Sequence, residues 1–154
     1  MQGAIPWHTL THAEASAACV MAGWRLCTLD ELSRACAGTE RRRYPYGSRL
    51  VAGRCNIRDA YVPEGEALSS VAPSGHFEQC VSQDGVFDLT GNVWEWTAKA
   101  SDAFVYFGAG YRIIAERHRD DDHSCDTYLT LPAIVGEPYK KETVGFRCCR
   151  DATN

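Results

Sequence analysis

The sequence predicts an α+β fold: two short helices, then a loop-rich antiparallel sheet, stapled by disulfides. Three observations carry this. Two helix-capping signatures open the chain, Gly, Pro, Ser and Asn interrupt it every few residues beyond position 40, and eight cysteines are spread along it. At 154 residues the chain has the length of one ordinary domain, enough to bury roughly 70% of its unfolded surface. We read residues 1–154 as a single domain, since no repeat, low-complexity tract or linker divides them.

The first helix begins at Thr11-His12-Ala13-Glu14. This is a capping box: the Thr11 hydroxyl accepts from the third helical N–H, and the Glu14 carboxylate reaches back to the cap. Ala15, Ala18, Cys19 and Ala22 then recur at helical spacing, and Gly23 ends the run as the residue after the cap. Thr28-Leu29-Asp30-Glu31 repeats the logic, with Leu29, Leu32 and Cys36 on the inner face and Gly38 as the stop. Each helix therefore carries one cysteine on its buried side. Downstream, strands are expected at Val86–Leu89, Val93–Thr97, Tyr111–Ile114 and Val144–Cys148, where apolar and β-branched residues cluster. Trp94 and Trp96 flank Glu95 in strand period and are both expected in the core.

Composition excludes several functions. Nothing approaches the ~20 apolar residues of a membrane span, so membrane insertion is not expected. A net charge of −4 argues against a nucleic-acid partner. The one basic run, Arg41-Arg42-Arg43, follows Glu40 and reads as a solvated loop. An even cysteine count in a small chain suggests an oxidising compartment, hence an extracellular, periplasmic or cell-surface address. No signal-peptide pattern opens the sequence, so export is inferred from the cysteines alone. Zinc would need paired ligands at CxxC spacing, and none exists. Cys148 and Cys149 are adjacent, so on a strand their side chains point to opposite faces. His8, His12 and His76 stand isolated and receive no role.

The motifs resemble one family. Gly23-Trp24-Arg25-Leu26-Cys27-Thr28 with Glu31, Tyr44-Pro45-Tyr46-Gly47, Cys55-Asn56, Gly85–Leu89, Gly91–Thr97 (GNVWEWT) and Gly145-Phe146-Arg147-Cys148 occur in the order of the formylglycine-generating enzyme (sulfatase-modifying factor) family. The resemblance implies a variant of the C-type-lectin-like fold. It also implies a calcium site at Asn92 and Glu95 with the carbonyls of Gly91 and Val93, hard oxygen ligands that suit the ion. Asn56 and the Ile57 carbonyl would belong to a second site, whose later acidic ligand is not evident. The alternative is that Asn92 and Glu95 merely cap and hydrogen-bond a core turn. Of roughly a hundred possible pairings of eight cysteines, the resemblance suggests Cys19–Cys148 and Cys36–Cys125. Cys55–Cys80 and Cys27–Cys149 would take the remainder.

The chain departs from the enzymes where their chemistry resides. They hold copper on two cysteine thiolates, soft ligands suited to Cu(I), shortly before the cysteine matched by Cys125. Here no cysteine lies between Cys80 and Cys125, and Ala115 and Asp120 align with the pair. The family's R-G-G-S-W block is altered to Phe107–Arg112. In its place comes a polar stretch, Glu116–His123. Arg112, Glu116, His118, Asp120, Asp122 and His123 are candidates for a ligand face across residues 108–125; a solvated loop is the plainer alternative. The sugar-binding tripeptides of true C-type lectins are absent, since Glu137-Pro138 is followed by Tyr139. Only about ten residues precede the first helix, where the family usually has strands; the expectation is either an open sheet edge available to a partner or to self-association, or a fragment of a longer protein.

The reading that follows is a non-catalytic extracellular recognition module for an unidentified protein or glycan, with calcium as its cofactor and no transition metal. The alternatives are a metal-dependent oxidase using His118 and His123, and a structural subunit of a surface assembly.

Overall fold

A computed structural model describes residues 2–57, 70–98, 103–111, 123–132 and 140–151. The elements run α1 (His12–Met21), β1 (Arg25–Leu26), α2 (Leu29–Ala37), β2 (Trp94–Trp96), β3 (Ala103–Phe107), β4 (Tyr128–Pro132), β5 (Val144–Phe146) and β6 (Cys148–Cys149).

Both helices start on the expected capping boxes. Thr11 accepts from Glu14 N at 3.1 Å while Glu14 accepts from Thr11 N at 2.7 Å, and Thr28 and Glu31 exchange the same pair of bonds. α1 closes with a Schellman motif: Trp24 N donates to Cys19 O and Gly23 N to Val20 O, with Gly23 at φ 77°. The buried stripe of α1 is shorter than its spacing predicts. Ala15 and Cys19 are buried, but Ala22 is the exposed C-cap. In α2, Leu32 and Cys36 are buried and Leu29 half-buried, and Gly38 is the C-cap.

The larger sheet has the order β4-β3-β2-β5. β3 and β4 form an antiparallel pair on one side of β2, after which the chain crosses to the other side and lays β5 parallel to β2. The sheet is therefore mixed rather than wholly antiparallel, because only a crossover connection returns the chain to that side. β1 and β6 pair separately and antiparallel. The expected strand at Val144–Cys148 is thus two strands in two sheets, broken at Arg147. Val86–Leu89 is not a strand: it contributes one isolated bridge, Val81 to Phe87, and Asp88 at φ 58° cannot continue an extended run. Tyr111 lies in a bend, and residues 112–114 fall outside the described segments.

Tyr106 and Phe107 are consecutive on β3 and so face opposite sides of the sheet. Tyr106 joins Leu10, Ala15, Cys19, Leu26, Trp96 and Val144. Phe107 joins Cys27, Leu32, Cys36, Leu89 and Cys125. α1 therefore packs on one face and α2 on the other. Each large side chain so buried contributes about 1.5–3 kcal/mol. Trp96 is fully buried and donates to Leu10 O at 3.1 Å, whereas Trp94 is only half-buried against the first cluster.

All eight cysteines are paired, as Cys19–Cys148, Cys27–Cys149, Cys36–Cys125 and Cys55–Cys80, and no free thiol remains. Adjacent Cys148 and Cys149 anchor β6 to α1 and to the start of α2 respectively. On the N-terminal side, His8 bridges Gly145 and Thr9 N donates to Val144 O at 3.1 Å, which covers the outer side of β5. β4 is the other outermost strand of this sheet.

Candidate functional site

The Gly91-Asn92 turn is the hub between the sheet and the loops. Gly91 sits at φ 82°, and a Cβ there would meet Asn56 O at 2.6 Å, so no other residue lets the two backbones approach this closely. Asn92, also left-handed at φ 61°, donates its backbone N–H to Asn56 O at 2.8 Å. Its side chain is fully engaged. Oδ1 accepts from Ala72 N at 2.8 Å and Asn56 Nδ2 at 3.0 Å, while Nδ2 donates to Ala72 O at 3.1 Å. Its carbonyl accepts from Tyr111 N at 2.9 Å, and neighbouring Thr90 donates to His123 O at 2.6 Å. One turn thereby ties together residues 56, 72, 111 and 123, all distant in sequence.

Glu95 projects from β2 on the Phe107 side and is buried. Arg147, at the break between β5 and β6, binds it bidentately: Nε donates at 2.8–2.9 Å to both oxygens and Nη2 to Oε1 at 2.5 Å. Nη2 also donates to Phe87 O at 3.1 Å. Burial pushes the Glu95 carboxyl above its ordinary range, and the guanidinium opposes that shift. For Arg147 burial acts downward but is outweighed by Glu95, so its pKa is raised. Asp88 is buried nearby; burial raises its pKa too, against the bonds it accepts from Gly75 N at 2.8 Å and Ser74 Oγ at 3.3 Å.

These contacts bear on calcium. Asn92 Oδ1 already accepts two N–H groups and both Glu95 oxygens face a guanidinium, so this pair does not fit a cation. Asn56 keeps one free acceptor. Its Oδ1 is buried and meets no hydrogen-bond donor, while its Nδ2 is spent on Asn92 and on Ser70 O. An amide oxygen is a hard donor of the kind calcium takes, and among the described residues no cluster of three His, Cys, Asp or Glu side chains accompanies it. Of the candidate ligand face, Arg112, Glu116, His118, Asp120 and Asp122 lie outside the described residues. His123 is described and buried. Arg147 and Asp88 were not anticipated. The available signal was Glu95 itself, an acid between two tryptophans on a strand, which demands a buried cation.

The whole arrangement has known relatives. Residues 2–152 match the sulfatase-modifying factor enzyme 1-like domain. The chain belongs to this family. Within the sulfatase-modifying factor enzyme 1-like family it is 34% identical over 151 residues to the inactive C-alpha-formylglycine-generating enzyme 2 of Mus musculus, an alignment covering 90% of the chain and 47% of that relative. Hercynine oxygenase of Mycobacterium tuberculosis is 31% identical over 126 residues, covering 71% of the chain and 28% of that protein. PvdO from Pseudomonas aeruginosa shares the fold at TM-score 0.69 and 13% identity, over 92% of the chain and 60% of that structure. The chain thus spans about half the length, or less, of the curated relatives it matches.

Proposed function

We propose that this chain is a non-catalytic recognition module of the family, built on its C-type-lectin-like scaffold and working in an oxidising, extracellular-type compartment. One observation carries the reading. All eight cysteines are consumed in disulfides, so no thiolate pair is left to hold copper, and thiolate is the ligand Cu(I) chemistry requires. The name of the mouse relative, which calls it inactive, supports the same view. Four disulfides support the compartment, since such bonds persist where thiols are not kept reduced. The ligand face is assigned to residues 108–125, with a protein or glycan as partner, and calcium to Asn56 and the Ile57 carbonyl.

Purified protein incubated with copper and a cysteine-bearing substrate peptide is expected to leave the cysteine unconverted by mass spectrometry; conversion overturns the reading. The similarity to hercynine oxygenase favours one competitor, a metal-dependent oxidase working through His118 and His123. Elemental analysis separates the two. Stoichiometric iron or copper that is lost in His118→Ala selects the oxidase, and its absence selects the module.

A further inference from the structure

A cleft outside the Glu95–Arg147 pair is built from two tight turns. Arg54 N donates to Val51 O at 3.2 Å and Cys80 N to Phe77 O at 2.8 Å, and the Cys55–Cys80 bridge clamps the turns against each other. Between them opens a cleft of about 500 Å³, lined by Val51, Arg54, His76, Phe77 and Glu78 among others. Arg54 is the unusual member. Its guanidinium lies 4.9 Å above the Tyr46 ring, and its Nε is buried without an acceptor. Arg25, Arg42 and Arg147 find carboxylates, whereas Arg54, like Arg34, Arg41 and Arg49, forms no ion pair among the described residues; what sets it apart is the buried Nε. Glu78 lines the same cleft but does not pair with it. Arg54 is half-buried: its Nε is withdrawn from water against the Tyr46 ring without an acceptor, while the rest of the guanidinium lines the cleft and can take a counter-charge from outside.

We propose that this cleft binds a small carboxylate ligand with an apolar body. The planar fork of Arg54 matches a carboxylate in two parallel hydrogen bonds. Val51 and Phe77 supply the apolar wall, and the exposed His76 ring, edge-on to Phe77 at 5.3 Å, adds a second polar contact. Glu78 selects a singly charged ligand, because a phosphate dianion beside it is repelled. This site is independent of whether the chain is catalytic.

The test is an NMR titration of the whole chain with phenylacetate, with phenylacetamide and inorganic phosphate as parallel arms. Phenylacetate is expected to shift amides of residues 51–54 and 76–79 saturably. Phenylacetamide should bind at least ~10-fold more weakly, since it lacks the charge that the fork reads. Arg54→Gln should weaken phenylacetate by a similar factor, and Arg54→Lys, which keeps the charge but not the fork, by an intermediate one; native spectra elsewhere verify both folds. Should Arg54→Gln fail to fold, the lysine variant and the amide arm decide. Equal binding of acid and amide, unchanged affinity in a folded Arg54 variant, tighter binding of phosphate, or no saturable shift each overturns the proposal.

Discussion

At the scale of single residues, the Glu95–Arg147 pair decides the most. A buried ion pair adds little stability over an apolar substitute, yet removing one partner leaves an uncompensated charge. Arg147→Met is therefore expected to destabilise by about 3–5 kcal/mol, with Glu95→Gln/Arg147→Met recovering part of the loss in urea denaturation. Glu95 stood out in the sequence as an acid between two tryptophans, but its partner lies 52 residues away, and no local pattern joins them. A second acid titrates the other way. Arg25 holds Glu31 down to about 2 from an ordinary 4.5, so its folded-state value is depressed. Its contribution is complete above 4.5 and disappears as pH falls from 4.5 toward 2. The pair is more than a third exposed, so solvent screening keeps the effect modest. Glu31→Gln should lower Tm at pH 7 and narrow the Tm difference between pH 7 and 2.5. An unchanged difference would remove Glu31 from the acid response.

At the scale of elements, helices and strands differ in how they are specified. Both helices were readable because a cap, a 3.6-residue period and a stopping glycine all act within a dozen residues. Gly23→Ala tests the stop. A Cβ at Gly23 meets nothing within 4 Å, so the cost is purely conformational, about 1 kcal/mol from φ 77°. Thr11→Ala should likewise cost about 1 kcal/mol through the lost cap. Thermal melts read both. Strands were less legible because pairing partners are remote. β3 and β4 went unrecognised although Ala103–Phe107 is rich in strand-forming residues, and Val144–Cys148 reads as one strand until Arg147 turns toward Glu95. The Asn92 turn was singled out in the sequence as a calcium site. Its role is to organise loops through amide bonds, and the free oxygen sits on Asn56 instead.

At the scale of the whole molecule, the disulfides join what the sheets do not. The bridges separated by 129 and 122 residues tie the helical layer to the last strand. On the loop-entropy account each contributes close to 5 kcal/mol, and the Cys55–Cys80 bridge about 3.5. If Asn56 holds calcium, a chelator should lower Tm and Asn56→Ala should abolish that shift, whereas Asn92→Ala should destabilise with or without chelator; a chelator without effect removes calcium from the account. The central claim is that no cysteine is left for chemistry, and non-reducing peptide mapping with a thiol count tests it directly. The prediction is three disulfide-linked species with no free thiol: Cys36 joined to Cys125, Cys55 joined to Cys80, and one peptide bearing Cys148 and Cys149 joined to both the Cys19 and the Cys27 peptides. A stoichiometric pair of free thiols would contradict it.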